Sequence, residues 1–326
     1  MSAHLPQPDL IHTGITRRTA LATLAGGLTV VFASSARAAS AAYELTEFTL
    51  PKTVTGPTWG RGINRKAMVV GMGTTKSGLI ALRSAGGSVR DLGSDNTAAL
   101  ANAINDAGRI VGSVDQRAAW WESDSYTTLP ELDSNPSTAF AINKAGTIVG
   151  SSDSGANKST AVRWENDKAV ALPGIGGSLA RATGINEDGL IVGYATEDDK
   201  GERVRAVLWQ DGAVTSLGTL GGNASQATAI NRHGAVTGCA ATDGEFGAVE
   251  TAFVWTDGEM HMLARLGRVK ITGRSTSISL ERSIGHAIAD NGDICGATMS
   301  ISENGDISVA TLWQNDQIID LNTLIG

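Results

Sequence analysis

The residues that could carry acid–base or nucleophilic chemistry are few in this chain. Its histidines and cysteines are His4, His12, His233, His261, His286, Cys239 and Cys295. Hydrolysis through a serine or cysteine nucleophile needs a histidine beside it as the base, and only His286, together with Arg61, is a candidate. Glycoside hydrolysis needs two carboxylates across a cleft, yet the acidic residues are scattered through turns and outer loops. Residue types and spacing therefore indicate no catalytic residues.

Two acidic segments resemble calcium-binding loops. Residues 290–293 read Asp-Asn-Gly-Asp, and residues 303–306 read Glu-Asn-Gly-Asp. Neither continues to the distal acidic ligand that completes such a loop, and the same residue types are common in tight turns. Two cysteines are also too few to form a zinc site on their own. We therefore expect no metal and no cofactor.

An internal repeat positions these residues. The phrase Ala-Ile-Asn-x-x-Gly-x-Ile-Val-Gly occurs in six copies, two of them degenerate, at Ile63, Ile104, Ile142, Ile185, Ile230 and Ile288. Successive isoleucines are 41, 38, 43, 45 and 58 residues apart, and a glycine follows each isoleucine by eight residues. Each copy predicts two strands joined by a tight turn, with asparagine first and glycine at the left-handed position.

The rest of each repeat predicts two further strands. The third strand carries a tryptophan in five repeats, at Trp121, Trp164, Trp209, Trp255 and Trp313. Four short strands per roughly 40 residues are typical of propeller blades, and neither helical periodicity nor a leucine ladder favours another repeat class. We predict an all-β, six-bladed β-propeller of four-stranded blades over residues 39–326, with the tryptophans packed between blades.

Small residues next to each isoleucine indicate which strand is innermost. Glycine or alanine stands one and three residues before all six isoleucines, and alternation of side chains would put both positions on one face. Only an inner strand, where the sheets converge, requires such a face. The positions two before each isoleucine are varied, and these axial residues are the candidate ligand-binding set: Arg61, Asn102, Phe140, Thr183, Thr228 and His286. Variable packing around a filled channel is the alternative interpretation.

The first 38 residues have the pattern of an export signal. Arg17 and Arg18 precede a mildly apolar stretch from Leu21 to Ala33, and a small-x-small site ends at Ala38. Paired arginines favour the twin-arginine route, with cleavage after Ala38. We therefore expect a periplasmic or extracellular protein that folds before export and is not held in the membrane after cleavage.

The ends of the mature chain are expected to close the ring. Residues 43–50 resemble a rim strand, and the C-terminus ends in another, so we predict that both lie in the last blade and protect its edge. Cys239 and Cys295 should point the same way from equivalent strands. Since Cβ atoms must come within about 4 Å to form a disulfide, we expect two reduced, buried thiols.

The longest interval between repeats contains a basic insertion. Between residues 264 and 284 it carries basic residues that form a candidate anion or partner loop: Arg265, Arg268, Lys270 and Arg274. A basic loop on an acidic protein is suited to an anionic partner. A solvated surface loop is the alternative.

The repeats resemble those of HAF-repeat extracellular bacterial proteins. Residues 217–231, reading Leu-Gly-Thr-Leu-Gly-Gly-Asn-Ala-Ser-Gln-Ala-Thr-Ala-Ile-Asn, carry the resemblance together with Ala252-Phe253-Val254-Trp255. It covers nearly the whole mature chain. The resemblance implies export and a repetitive β architecture, and it transfers no catalytic residue.

Charge and composition limit the function classes. The chain has 26 basic and 33 acidic side chains and a net charge of −7, which does not suit a nucleic-acid-binding surface. We therefore expect a monomeric binding or interaction module whose partner is an unknown extracellular ligand, either a glycan or a protein. A propeller hydrolase or lyase acting on an extracellular polysaccharide or small molecule is the alternative.

Overall fold

The computed structural model describes residues 19–24, 27–33, 43–85, 87–93, 98–133, 136–155, 158–243, 249–270, 277–280, 282–300 and 307–324. Arg17, Arg18, the cleavage site at Ala38 and Arg274 lie outside these residues. In the described part of the chain, the regular secondary structure consists of β-strands and one 3₁₀ turn, Leu321–Leu324. It contains no helix with the length and apolar character that a membrane crossing requires.

The strands before and within the first three repeats follow the predicted order. An N-terminal antiparallel sheet contains β1 (Thr19–Leu24), β2 (Gly27–Ala33) and β3 (Tyr43–Glu47). Unit 1 contains β4 (Val54–Ile63), β5 (Val69–Thr75), β6 (Gly78–Ala85) and β7 (Ser88–Asp91). Unit 2 contains β8 (Ala99–Ile104), β9 (Ile110–Val114), β10 (Arg117–Glu122) and β11 (Ser125–Thr128). Unit 3 contains β12 (Ser137–Ile142), β13 (Ile148–Gly155), β14 (Lys158–Glu165) and β15 (Lys168–Ala171).

The remaining repeats are built in the same way. Unit 4 contains β16 (Ala180–Ile185), β17 (Ile191–Thr196), β18 (Val204–Gln210) and β19 (Ala213–Ser216). Unit 5 contains β20 (Gly221–Ile230), β21 (Val236–Thr242), β22 (Glu250–Thr256) and β23 (Glu259–Met262). A separate hairpin follows, with β24 (Gly267–Lys270) and β25 (Ser277–Leu280). Unit 6 contains β26 (Arg282–Ile288), β27 (Ile294–Ser300), β28 (Ile307–Gln314) and β29 (Gln317–Asp320).

Each unit is an antiparallel sheet whose strands pair in chain order. Units 1, 2, 3 and 6 form separate four-stranded sheets, whereas one parallel bridge, Val204↔Ala224, joins units 4 and 5 in an eight-stranded sheet. The first strand of each unit from β4 to β20 contacts the first strand of the next. The first strands are therefore innermost, as the small residues predicted.

Apolar side chains fill the spaces between neighbouring units. Trp121, Trp164, Trp209 and Trp313 are buried on the third strands. The indole N–H of Trp164 donates to the carbonyl of Pro130 in the preceding unit at 2.8 Å, and Trp209 and Trp313 make equivalent bonds to Pro173 and Ala264. These bonds satisfy the polar end of a buried ring. For these four residues, the prediction of tryptophans packed between units is confirmed.

A β-bulge in every first strand corrects the predicted face of the small residues. In unit 2, Ala101 pairs with Gly112 and Ala103 with the adjacent Val111, so Asn102 is the extra residue. One extra residue shifts the side-chain alternation. Ala101 therefore packs towards unit 1, whereas Ala103 packs towards unit 3. The two small positions lie on opposite faces, and both neighbouring units can approach closely.

The conserved spacing of the repeat's second glycine follows from the same bulge. An ideal Cβ built on Gly112 would lie 1.8 Å from the carbonyl oxygen of Leu100 on the inner strand. No side chain fits at that distance. The same close approach, 1.8–1.9 Å, occurs in all six units, so the glycine lets the inner strand bulge towards its partner.

The N-terminal segment does not complete the last unit, so the predicted closure by shared terminal strands is wrong. Thr49 instead bridges Ser88 of β7 in parallel, and Val89 N–H donates to the Thr49 carbonyl at 2.9 Å. Phe48 and Leu50 pack on the core of unit 1. Apolar contact therefore holds residues 48–50 on unit 1. Strand β1 lies against both β4 and β28.

Both cysteines agree with the sequence-based expectation. Cys239 lies on β21 and Cys295 on β27, and the two thiols are reduced and buried. Cys239 pairs with Ala252 and Cys295 with Leu312 on their neighbouring third strands. The folded units therefore need no disulfide between these residues.

Unit 1 contains a strained turn that can be relieved. Ala67 occupies the left-handed turn position with φ of 58°, where Gly108 of unit 2 has φ of 94°. A non-glycine residue there costs about 1–2 kcal/mol, partly offset by the greater chain entropy that glycine loses on folding. Ala67→Gly should therefore raise the free energy of unfolding by about 0.5–1 kcal/mol, measured by urea denaturation.

Gly108→Ala is the matched control, because nothing lies within 4 Å of a Cβ built there and only the backbone conformation opposes the change. It should destabilise the protein by about 1 kcal/mol. A loss of stability in Ala67→Gly would contradict the assigned turn.

Candidate functional site

A ladder of asparagine side chains joins the turns between the first and second strands. In units 1 to 5 the side-chain N–H of each turn asparagine donates to the carbonyl of the equivalent residue in the next unit, at 3.0–3.2 Å. The asparagines are Asn64, Asn105, Asn143, Asn186 and Asn231. Each Oδ1 also accepts the backbone N–H four residues ahead. The ladder ends at the carbonyl of Ala289, because alanine has no amide to continue it.

These turns surround a cavity of about 180 Å³. Its lining includes isoleucine, asparagine and charged residues from the turns of the repeats, and every one of the six units contributes at least one residue. We call it the axial pocket. A cavity needs a volume of roughly 10–15 Å³ to hold one water molecule. If each non-hydrogen atom of a ligand takes a similar volume, the pocket has room for about a dozen of them.

Charged residues of alternating sign surround the axial pocket. Each stands directly after the ladder position, and they are Arg65, Asp106, Lys144, Glu187, Arg232 and Asp290. Odd-numbered units are basic and even-numbered units are acidic. Because the signs alternate, the ring presents hydrogen-bond donors and acceptors in turn and carries no net charge.

The ring residues pair from each odd unit to the following even unit. Arg65 contacts Asp106 through its backbone N–H (2.9 Å to Oδ1) and its guanidinium (3.2 Å from Nε to Oδ2). Lys144 N–H donates to Glu187 Oε2 at 2.9 Å. Arg232 repeats the first arrangement with Asp290, at 3.3 and 3.5 Å. Exposed ion pairs of this kind stabilise a fold by about 1 kcal/mol at most, so their main effect is to orient the charged groups.

The sequence-predicted axial residues lie on the first strands, before the turns that carry the charged ring. Most of their polar side chains form hydrogen bonds to the next unit. All six are the bulge residues of their first strands. Asn102 Nδ2 donates to the Ala139 carbonyl at 2.8 Å, and the hydroxyls of Thr183 and Thr228 donate to the next unit at 2.8 and 2.6 Å. Arg61 donates to Asn102 Oδ1 at 3.4 Å, and Phe140 is buried. This arrangement favours a packing role.

His286 is the sixth bulge residue and lies half-buried on β26. Desolvation lowers the pKa of its imidazole to about 4. The ring is therefore neutral near pH 7, and a base with so low a pKa is a weak proton acceptor at that pH.

A second group of titratable side chains lies near the starts of the inner strands, away from the charged ring. Arg181 donates to Asp153 Oδ1 at 3.2 Å, and burial raises the pKa of the neighbouring Tyr194 phenol. Burial, with a further contribution from Glu250, raises the pKa of the Cys239 thiol to about 12. That thiol stays protonated at neutral pH and is a poor nucleophile.

The basic insertion is partly a hairpin rather than an irregular loop. Arg265 is exposed, and its guanidinium donates to Thr251 Oγ1 at 2.7 Å. Arg268 and Lys270 lie on β24, which pairs with β25, whereas Arg274 is not among the described residues. In the described parts of the chain, no three His, Cys, Asp or Glu side chains are grouped so that they could hold a metal ion.

The alternating ring was missed at the level of sequence, although its signal is present there. The residue two after each repeat isoleucine changes sign from unit to unit. Alignment of the repeats on the isoleucines would have shown it. The prediction considered the residues before the isoleucines, which occupy the bulges of the first strands, and did not consider the turn residues after them.

Comparison with known proteins identifies the fold. No family model matches the chain, and no curated protein matches it. The β-propeller domain of the Trilobed protease from Pyrococcus furiosus, which has an open velcro topology, is 13% identical over 94% of this chain and 96% of its own, with a TM-score of 0.57. TolB from Acinetobacter baumannii is 12% identical over 94% and 77%, with a TM-score of 0.49.

The first similarity, together with the repeated four-stranded units, shows that the chain has an all-β fold of the β-propeller type. Identity this low carries no information on ligand or activity. The resemblance to HAF-repeat proteins and the export signal stay predictions.

Proposed function

We propose that the protein is an exported six-bladed β-propeller that binds a neutral sugar in the axial pocket. The six-bladed arrangement is supported by the pocket itself, because turn residues from units 1 and 6 line the same cavity as those of the units between them. Cleavage after Ala38 would remove β1, which lies against both β4 and β28, and units 1 and 6 of the mature chain would then meet without an exchanged strand. Each four-stranded unit corresponds to one blade.

The absence of an asparagine in unit 6 provides a test of whether units 1 and 6 adjoin and close the ring. Ala289 occupies the ladder position in unit 6, next to the Asn64 turn in a closed ring. Ala289→Asn should add one buried hydrogen bond to the Asn64 carbonyl and raise the free energy of unfolding by about 1 kcal/mol, measured by chemical denaturation.

Ala107→Asn, on an exposed part of the unit 2 turn, is the control for a general effect of asparagine in a turn and should leave stability unchanged. Equal behaviour of the two variants would indicate that units 1 and 6 do not adjoin, and would argue against a closed ring.

The alternating charges are the observation that carries the proposed ligand class. A sugar hydroxyl both donates and accepts hydrogen bonds, so a ring that offers both in alternation suits a neutral polyhydroxylated ligand. A single-sign ion gains little there, because opposite charges around the ring cancel. The carboxylates of Asp106 and Asp290 are each paired with an arginine, which favours binding over acid–base catalysis.

Calorimetric titration of the mature protein with neutral monosaccharides tests this ligand class. We expect saturable binding without turnover, and Glu187→Gln should weaken it about tenfold by replacing a charged acceptor. Glu259→Gln, on the exposed rim strand β23, changes the same group away from the pocket and should have no effect. Equal affinity in both variants would refute the axial site, and product formation would instead support the hydrolase or lyase.

The N-terminal segment supports the proposal that the protein is exported. Arg17 and Arg18, the short apolar stretch and the small residues before Ala38 support twin-arginine export, and reduced buried thiols suit a protein that folds before it crosses the membrane. Arg17→Lys/Arg18→Lys should leave the protein in the cytosolic fraction, as judged by cell fractionation. Export of that variant at the normal level would exclude this route.

A further inference from the structure

A second cavity lies beside the axial pocket and has a different chemistry. It has a volume of about 530 Å³ and is formed by three consecutive units. Its charged lining consists of Arg83 from unit 1, Arg109 and Glu122 from unit 2, and Lys144 from unit 3. Met68 adds an apolar wall. A volume of this size is within the roughly 300–1,000 Å³ of ordinary small-molecule sites.

Arg109 is held in place by its contact with an aromatic ring. Its guanidinium carbon lies 4.4 Å from the centre of the Trp120 ring, an arrangement that fixes the group by cation–π attraction. A Cβ on Gly146 would lie 3.7 Å from Arg109 Nη1, so the guanidinium lies beside the unit 3 turn. Within the described ranges of the chain, no carboxylate or carbonyl accepts a hydrogen bond from this guanidinium.

The other cations define the walls of the cavity. Arg83 donates to the Ser123 carbonyl at 3.3 Å and to Asp124 Oδ1 at 2.9 Å, so much of its charge is balanced. Lys144 is exposed, and its backbone N–H, not its side chain, donates to Glu187. Arg109 and Lys144 therefore present two cations against one carboxylate, Glu122, on a protein whose net charge is negative.

We propose that this cavity binds a small organic anion through a carboxylate group. A carboxylate matches the planar fork of a guanidinium and accepts two parallel hydrogen bonds from it. Lys144 adds a point charge from the opposite turn, and Met68 contacts the apolar part of the ligand. An acidic sugar and a free dicarboxylate share this chemistry. The proposal does not depend on sugar binding in the axial pocket.

The test is titration of the protein with glucuronate, succinate and glucose, followed by calorimetry and by NMR shifts. Glucuronate should bind, and its affinity should fall as salt is added, because an exposed ion pair is screened. Comparable binding of succinate would identify the carboxylate as the recognised group, whereas preference for glucuronate would identify an acidic sugar. Failure of both acids to saturate the protein would overturn the proposal.

Variants of Arg109 separate this site from the axial pocket. Arg109→Gln should weaken binding of the acid by about tenfold or more, and Arg109→Lys, which keeps the charge but loses the fork, should be intermediate. Arg90→Gln, at an exposed arginine of β7, is the matched control and should bind normally. Thermal denaturation confirms that each variant is folded.

Arg109→Gln should leave binding of a neutral sugar intact, because Arg109 does not line the axial pocket. Unchanged acid affinity in a folded Arg109→Gln variant would refute the assigned cavity.

Discussion

In each of units 1 to 5, one asparagine amide carries out two tasks, and the arrangement of the units depends on it. Its oxygen closes the turn of its own unit, and its N–H groups reach the carbonyl of the next. All five asparagines are buried, so loss of either bond would leave a polar group unsatisfied, at a cost of about 1–3 kcal/mol. Because the same group fixes the turn and the spacing, neighbouring turns are held at a constant offset.

The bulge in each first strand explains how identical units pack on both sides. The extra residue shifts the alternation, so that one small residue faces the preceding unit and another faces the following one. The bulge side chain then lies beside the carbonyl groups of the next unit. Asn102, Thr183 and Thr228 meet that requirement with a hydrogen bond, so two residue types fit the same backbone.

Residues next to this framework are free to differ in charge. The position after each ladder residue does not contribute to the amide ladder through its side chain, so basic and acidic types can alternate around the axial pocket. The turns that carry these charges are each hydrogen-bonded to a neighbouring turn, which holds the charges in place. Rigid placement is what lets small pockets distinguish ligands by hydrogen-bond geometry. The adjoining cavity uses the same turns but has an excess of cations.

The amino-acid sequence by itself determined the local structure of this protein. The spacing of isoleucine, asparagine and glycine specified four strands per repeat, the left-handed turn at Gly108 and a tryptophan between units, because these depend on backbone conformation and burial. Tertiary structure decided the rest. The bulge at Asn102 comes from close approach of two backbones, and pairing of Thr49 with β7 depends on which sheet edge is exposed. The convergence of Arg109, Lys144 and Met68 arises only when three units pack together, since residues of different repeats share no local signal that one chain segment can reveal.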